Sequence, residues 1–165
     1  SPARAGDNDA VREDRAATGG DKVLIRDFIM KRGPVVTCRS DDSIADAADV
    51  LAERIIGVMP VLDSHFKLVG MLSERDVVRA FSKNKSGFAA LKVGDVMSTN
   101  VVSCAPGNSH VDAANLMRRN RIRHLPVVEE EMLVGLISVR DMLEIFGPTD
   151  KHGVFVSPLG VARAT

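Results

Sequence analysis

Twice in this chain a glycine is followed by two apolar residues, a serine, two further positions and an aspartate. The copies are GMLSERD at 70–76 and GLISVRD at 135–141. A strand ending in glycine that leads straight into a helix offers free backbone N–H groups and a dipole that favour an anion. A serine hydroxyl there can donate to a phosphate, and a carboxylate three residues later can accept from two ribose hydroxyls. The plainer reading is that Ser-x-x-Asp is a helix N-cap pattern, which by that logic alone recurs at Ser43 with Asp46 and at Ser109 with Asp112. Chemistry alone leaves both readings open.

Other reactive side chains are sparse. Cys38 and Cys104 stand 66 positions apart in VVTC and VVSC, with no CxxC pairing, and read as buried strand thiols rather than a disulfide. His65, His110, His124 and His152 show no metal-ligand spacing, and the first, second and last read as surface or loop histidines. No nucleophile–base pair and no GxxxxGKS loop is visible, so the reading is non-catalytic, without a metal. Lys plus Arg and Asp plus Glu both number 22, for a formal net charge of 0, which removes the footprint of a nucleic-acid binder. Six Phe with no Trp or Tyr leave little to stack on bases. No apolar run approaches the roughly 18 to 20 residues of a bilayer crossing, and the start has no signal-type apolar stretch. The expectation is a soluble, cytoplasmic protein that touches neither membrane nor nucleic acid.

The elements that must hold these residues come in duplicate. A shift of 66 places Val35-Val36-Thr37-Cys38 on Val101-Val102-Ser103-Cys104, and Ser43, Asp46, Ala47 and Ala48 on Ser109, Asp112, Ala113 and Ala114. It also places Ile56, Pro60 and Val61 on Ile122, Pro126 and Val127. After a one-residue deletion, LVGMLSERD falls on LVGLISVRD. The 17 identities over 44 aligned positions compare with about three expected by chance, which establishes a duplication.

Each unit reads as strand–helix–strand–strand–helix. In the first, 35–38 is a β-branched run, and a helix opens at Ser43 with Ile44, Ala47, Ala48 and Leu51 on its apolar face. Runs 58–62 and 67–72 follow as strands, and a helix opens at Ser73 with Val77, Val78 and Phe81 on its buried side. The second unit repeats this with a strand at 101–103, a helix from Ser109, strands at 124–128 and 133–137, and a helix from Ser138. Small sheets with limited cores of their own should pack together. The expected boundaries are a disordered segment 1–22, units at 23–81 and 93–146, a polar linker 82–92 and a tail 147–165.

This order of VVTC, DDSIADAA, I-x-x-x-P-V and LVG-x-x-S-x-R-D resembles the CBS domain (cystathionine-β-synthase type). Two in tandem resemble the paired module of many small stand-alone bacterial proteins, and the likeness runs from about Val23 to Phe146. The lead-in segments IRDFIM (25–30) and VGDVM (93–97) share in it. The resemblance implies an α+β fold of two CBS subdomains packed sheet to sheet with pseudo-two-fold symmetry. It implies a regulatory sensor, not an enzyme, that binds AMP, ADP or ATP, in some members S-adenosylmethionine or NAD, in clefts between the units. No cofactor is required, and such modules commonly form homodimers that regulate another protein. Alternatives are a ligand-free dimerisation module, or the regulatory fragment of a larger enzyme or transporter, since the chain begins abruptly at Ser1-Pro2.

Carried over residue by residue, the resemblance gives Asp76 and Asp141 the ribose hydroxyls, with Arg75 and Arg140 beside them. Ser73 and Ser138 approach phosphate or ribose, and Thr37 and Ser103 line the clefts. Gly57, Val58, Met59 and Pro60, and Arg123, His124, Leu125 and Pro126, frame the adenine and phosphates. Gly57-Val58 offers no charge where Arg123-His124 does, so the two clefts are not expected to be equivalent.

Overall fold

The computed structural model describes residues 23–146. The segment 1–22, the tail 147–165 and His152, for which expectations were stated above, lie outside the described residues. The first unit contains β1 (Cys38–Arg39), α2 (Ile44–Arg54), β2 (Val58–Leu62), β3 (Leu68–Ser73) and α3 (Glu74–Asn84), preceded by a short α1 (Ile25–Ile29). The second contains α5 (His110–Asn120), β4 (His124–Glu129), β5 (Met132–Ser138) and α6 (Val139–Phe146), preceded by a short α4 (Val93–Val96).

Helix α2 begins where Ser43 accepts from the Asp46 N–H, and it buries Ile44, Ala47 and Leu51 at i, i+3 and i+7. It stops at Ile55, which adopts the left-handed conformation at φ 54°; its repeat counterpart Arg121 does the same after α5. β1 lies parallel to β2, and β2 antiparallel to β3, giving the order β1-β2-β3. The second sheet has only β4 and β5, antiparallel. The strands expected at 35–38 and 101–103 form only at or beyond their last residues: β1 is Cys38–Arg39, and the second unit has one parallel bridge, Cys104 to Val127. The second ladder is the shorter because the Ser40 N–H extends the first by donating to the Leu62 carbonyl, whereas the residue 66 positions on is Pro106, which has no N–H to give.

The lead-in helices cross over. Ile25 of α1 is fully buried among Cys104, Ala113, Met117, Leu125 and Ile137 of the second unit. Val93 of α4 is fully buried among Cys38, Ile44, Leu51, Met59 and Leu72 of the first. Mirrored antiparallel bridges, Leu24 to Ser109 and Lys92 to Ser43, fasten each lead-in to the other unit's helix cap. The buried side chains thus form two clusters, each completed by the chain that introduces its neighbour. The sheets meet where Lys67 bridges Met132 and the Lys67 ammonium lies 2.6 Å from Glu131.

Two helical details differ from expectation. Val78 and Phe81 are 66% and 55% exposed, because α3 turns Val77 and Ala80 inward instead. The segment 82–92 is not loose: α3 runs to Asn84, a 3-10 helix spans Lys85–Ala90, and Phe88 and Leu91 pack on the first core. Among the described residues no helix is long and apolar enough to cross a membrane.

Candidate functional site

Both Ser-x-x-Asp elements cap helices, but they do so differently. Ser73 Oγ accepts from the Asp76 N–H at 3.2 Å, while Asp76 Oδ2 accepts from both the Ser73 N–H (2.9 Å) and the Ser73 hydroxyl (2.8 Å). That hydroxyl proton is committed to its own aspartate. Ser138 Oγ accepts from the Asp141 N–H at 3.3 Å, and Asp141 Oδ2 accepts from the Ser138 N–H at 2.6 Å. No bond from the Ser138 hydroxyl to Asp141 forms, so this proton remains available to a ligand.

A cleft of about 350 Å³ opens between the units. One wall is the extended segment 33–36 with Ile56 and Val58 of the first unit; the other is 134–136 of β5. Arg32 stands at its edge and makes an ion pair through Nη2 with Asp141 Oδ1. The guanidinium also lies 4.7 Å from the Phe28 ring centroid and 3.9 Å from the Glu144 carboxylate. The lining side chains are apolar but for Arg32, while nearly half of the surface they present is polar, and the charge gathers where α6 begins.

His124 sits opposite Ser138 in the β4–β5 register. Burial holds its imidazole below the ordinary 6.5, the Arg123 charge pushes the same way, and Asp141 opposes them. Arg123 is exposed, and its carbonyl accepts from the Val139 N–H at 2.9 Å, which ties β4 to the start of α6. Arg32, Asp141, His124 and Arg123 therefore belong to one neighbourhood, drawn from both units.

The counterpart position is built otherwise. Ser98, which follows Met97 as Met30 follows Ile29, pairs through its backbone with Met71, the repeat counterpart of Leu136. A Cβ on Gly70 would meet Met97 Sδ at 2.5 Å and the Ser98 carbonyl at 3.0 Å, so the lead-in lies flat on β3. The difference is one of length: Ile25 to Val35 is ten residues, while Val93 to Val101 is eight. The longer lead-in also packs on its strand, Ile29 Cγ2 lying 2.8 Å from where a Cβ on Gly135 would stand, but beyond Ile29 it runs on to Arg32 before the cleft.

Among the residues expected at the site, Val58 lines the cleft, and Ser138 and Asp141 stand at the end where Arg32 sits. Thr37 is half-buried just beyond the lining segment, and Ser103 is exposed. Met59, Pro60, Leu125 and Pro126 are fully buried in their strands, and Arg75 and Arg140 are exposed in the first turns of α3 and α6. Gly57 is exposed, its carbonyl accepting from the Glu74 N–H at 3.0 Å. Arg32, the segment 33–36, Ile56 and 134–136 were not expected there. The unequal lead-in lengths were the available signal.

The thiols are free and buried, as their apolar setting suggested. Burial, with Asp42 nearby, pushes Cys38 up to about 12, and burial pushes Cys104 up to about 11. His110, expected on the surface, is half-buried with Nδ1 3.2 Å from the Val23 nitrogen and 3.1 Å from its oxygen. Among the described residues no group of three His, Cys, Asp or Glu could hold a metal ion.

The CBS domain family matches residues 25–83 and 93–147, and the chain belongs to this family as a tandem CBS pair. It is 35% identical over 135 residues to inosine-5'-monophosphate dehydrogenase of Methanocaldococcus jannaschii, covering 81% of this chain and 25% of that enzyme. The chain thus spans about a quarter of that relative's length. It is also 35% identical over 109 residues to the CBS domain-containing protein YhcV of Bacillus subtilis, covering 66% of this chain and 76% of that one. Its fold is similar to the CBS domain pair of protein MJ0100, solved with 5'-methylthioadenosine and S-adenosyl-L-methionine: TM-score 0.67, 28% identity, 76% of this chain and 96% of that one. It is similar too to CBSX2 solved with AMP: TM-score 0.64, 25% identity, 73% and 93% covered.

Proposed function

We propose that this chain is a non-catalytic regulatory module that takes an adenosine-containing ligand, AMP, ADP or ATP foremost, in the cleft beside Asp141. The observation that carries the reading is a cleft of about 350 Å³ whose one charged lining residue, Arg32, is paired with the buried carboxylate of Asp141. A cavity of this size holds a small ligand. Segment 33–36, Ile56 and Val58 offer an apolar slot for the adenine ring, and Asp141 offers acceptors for ribose hydroxyls. The free Ser138 hydroxyl, Arg123 and His124 lie on the side to which phosphates would extend. One relative of known structure holds AMP and another 5'-methylthioadenosine and S-adenosyl-L-methionine, which supports the ligand class, with NAD as a further member.

The module works as a cytoplasmic homodimer that passes ligand occupancy to a regulated protein, by shifting the relative pose of its units. Its similarity to a quarter of a dehydrogenase also fits a regulatory part of a larger enzyme or transporter. One observation favours a ligand-free dimerisation module instead: Arg32 already satisfies Asp141. Thermal unfolding separates the two. A ligand that binds only the folded state stabilises it by mass action, so AMP, ADP or ATP raises the melting temperature and guanine or pyrimidine nucleotides do less. No shift with any adenine nucleotide at millimolar concentration would leave the dimerisation module standing.

A further inference from the structure

Asp141 has two carboxylate oxygens, and both are engaged. Oδ2 accepts from the Ser138 N–H, which is part of the α6 cap, and Oδ1 holds Arg32. The Asp141 side chain is 6% exposed, whereas that of Arg32 is 41% exposed. Each oxygen has room for a second donor, but Arg32 lines the cleft and Asp141 lies behind it, so a ribose in the cleft meets Arg32 first and reaches Oδ1 by moving it aside. The displaced guanidinium cannot go far. Its backbone leads directly into Gly33 and the segment that walls the cleft, and its remaining neighbours are the Phe28 face and the exposed Glu144 at 3.9 Å.

We propose that Arg32 is a resident counter-ion of Asp141 which an arriving ligand displaces, and that it then pairs with the ligand's phosphate, so that the cleft selects anionic adenosyl ligands over neutral ones. The proposal rests on the preceding reading of the cleft as an adenosine site and adds what discriminates among its ligands. A neutral nucleoside replaces the guanidinium at the Asp141 carboxylate with hydroxyl donors and leaves both the carboxylate and the displaced cation without the counter-charge each had in their partly buried pair. A nucleotide restores the charge balance, because the planar guanidinium can grip phosphate with two parallel donors. The second lead-in, 93–101, contains no arginine or lysine, and its Ser98 backbone is bonded to Met71, so only one of the two lead-ins carries this device.

Calorimetry on the intact chain with adenosine, AMP and ADP, using wild type, Arg32→Ala, Arg32→Gln and Arg32→Lys, tests this. The wild type binds ADP at least about tenfold more tightly than adenosine, the scale of one charge-assisted contact. Arg32→Ala and Arg32→Gln lose that advantage while adenosine affinity stays level or rises, and Arg32→Lys falls between. Equal weakening of all three ligands would make Arg32 a mere support, and equal tightening a mere plug; either overturns the proposal. If the wild type binds none of the three, the adenosine site itself is wrong. If it binds them and the Arg32 variants change nothing, only the role of Arg32 falls. Circular dichroism of each variant confirms that the comparison is between folded chains.

Discussion

Ser98 and Met71 exchange both of their backbone hydrogen bonds, each 2.9 Å long, and so fasten the second lead-in onto β3. In the other half Ile29 packs on Gly135 as Met97 packs on Gly70, yet Arg32 and Leu136 flank an open cleft. The two halves of a duplicated sequence thus carry unequal sites, and the lead-in to the open one is two residues longer.

The first consequence is stoichiometric. One ligand per chain is expected, because a ligand beside Asp76 would have to break the two bonds between Ser98 and Met71. Calorimetric titration with ADP should saturate near one equivalent per chain. Saturation near two would show that the closed side opens readily.

The two aspartates should accordingly differ. Asp141→Ala removes charge-assisted acceptors from the open cleft, which costs binding on the order of 1.5–3 kcal/mol. Asp76→Ala should leave ADP affinity nearly unchanged. Both substitutions remove a helix cap, so urea unfolding should register a loss of about 0.5–2 kcal/mol in each. Equal effects on binding would contradict the assignment to one cleft.

His124 supplies a pH dependence. Burial holds it below 6.5 in the folded protein, so as pH falls the unfolded chain takes up that proton first. Its contribution to stability is therefore intact above 6.5 and is lost on acidification through that value. The urea midpoint should fall between about pH 7.5 and about pH 5.5, and His124→Gln should flatten the fall. An unchanged slope in the variant would show that His124 titrates as a free histidine.

Val78 and Phe81 on α3, and Val139 and Leu143 on α6, leave apolar side chains in solvent at the two helices that follow the Ser-x-x-Asp elements. Exposed apolar side chains on the equivalent helix of each unit fit an interaction face. Light scattering should give twice the chain mass, and Phe81→Glu combined with Leu143→Glu should give the monomer with unchanged helix content. A wild type that stays monomeric across the micromolar range would count against the homodimer.

Much of this architecture was legible because it depends on local periodicity. The β2 and β3 runs and the face of α2 follow from alternation and from i, i+3, i+7 spacing, and the repeat fixes the second copy from the first. Asp141 was legible for the same reason, as one half of a duplicated motif. The crossing of α1 and α4 was not, since five and four residues carry too little pattern to say which unit they pack on. Nor was all of the inward face of α3: Val77 packs on the core as expected, but Ala80 is buried while the larger Val78 and Phe81 are exposed. Arg32 escaped because a lone arginine before Gly-Pro carries no motif; only the fold brings it to a carboxylate 109 residues away.

The account turns on where an adenosine ligand sits, and a crystal structure of the intact chain grown with ADP shows this directly. It should reveal one ligand per chain, adenine between 33–36 and β5, ribose hydroxyls on Asp141, and Arg32 moved onto phosphate. A ligand held only by Ser73 and Asp76, or an empty cleft at millimolar ADP, would contradict it.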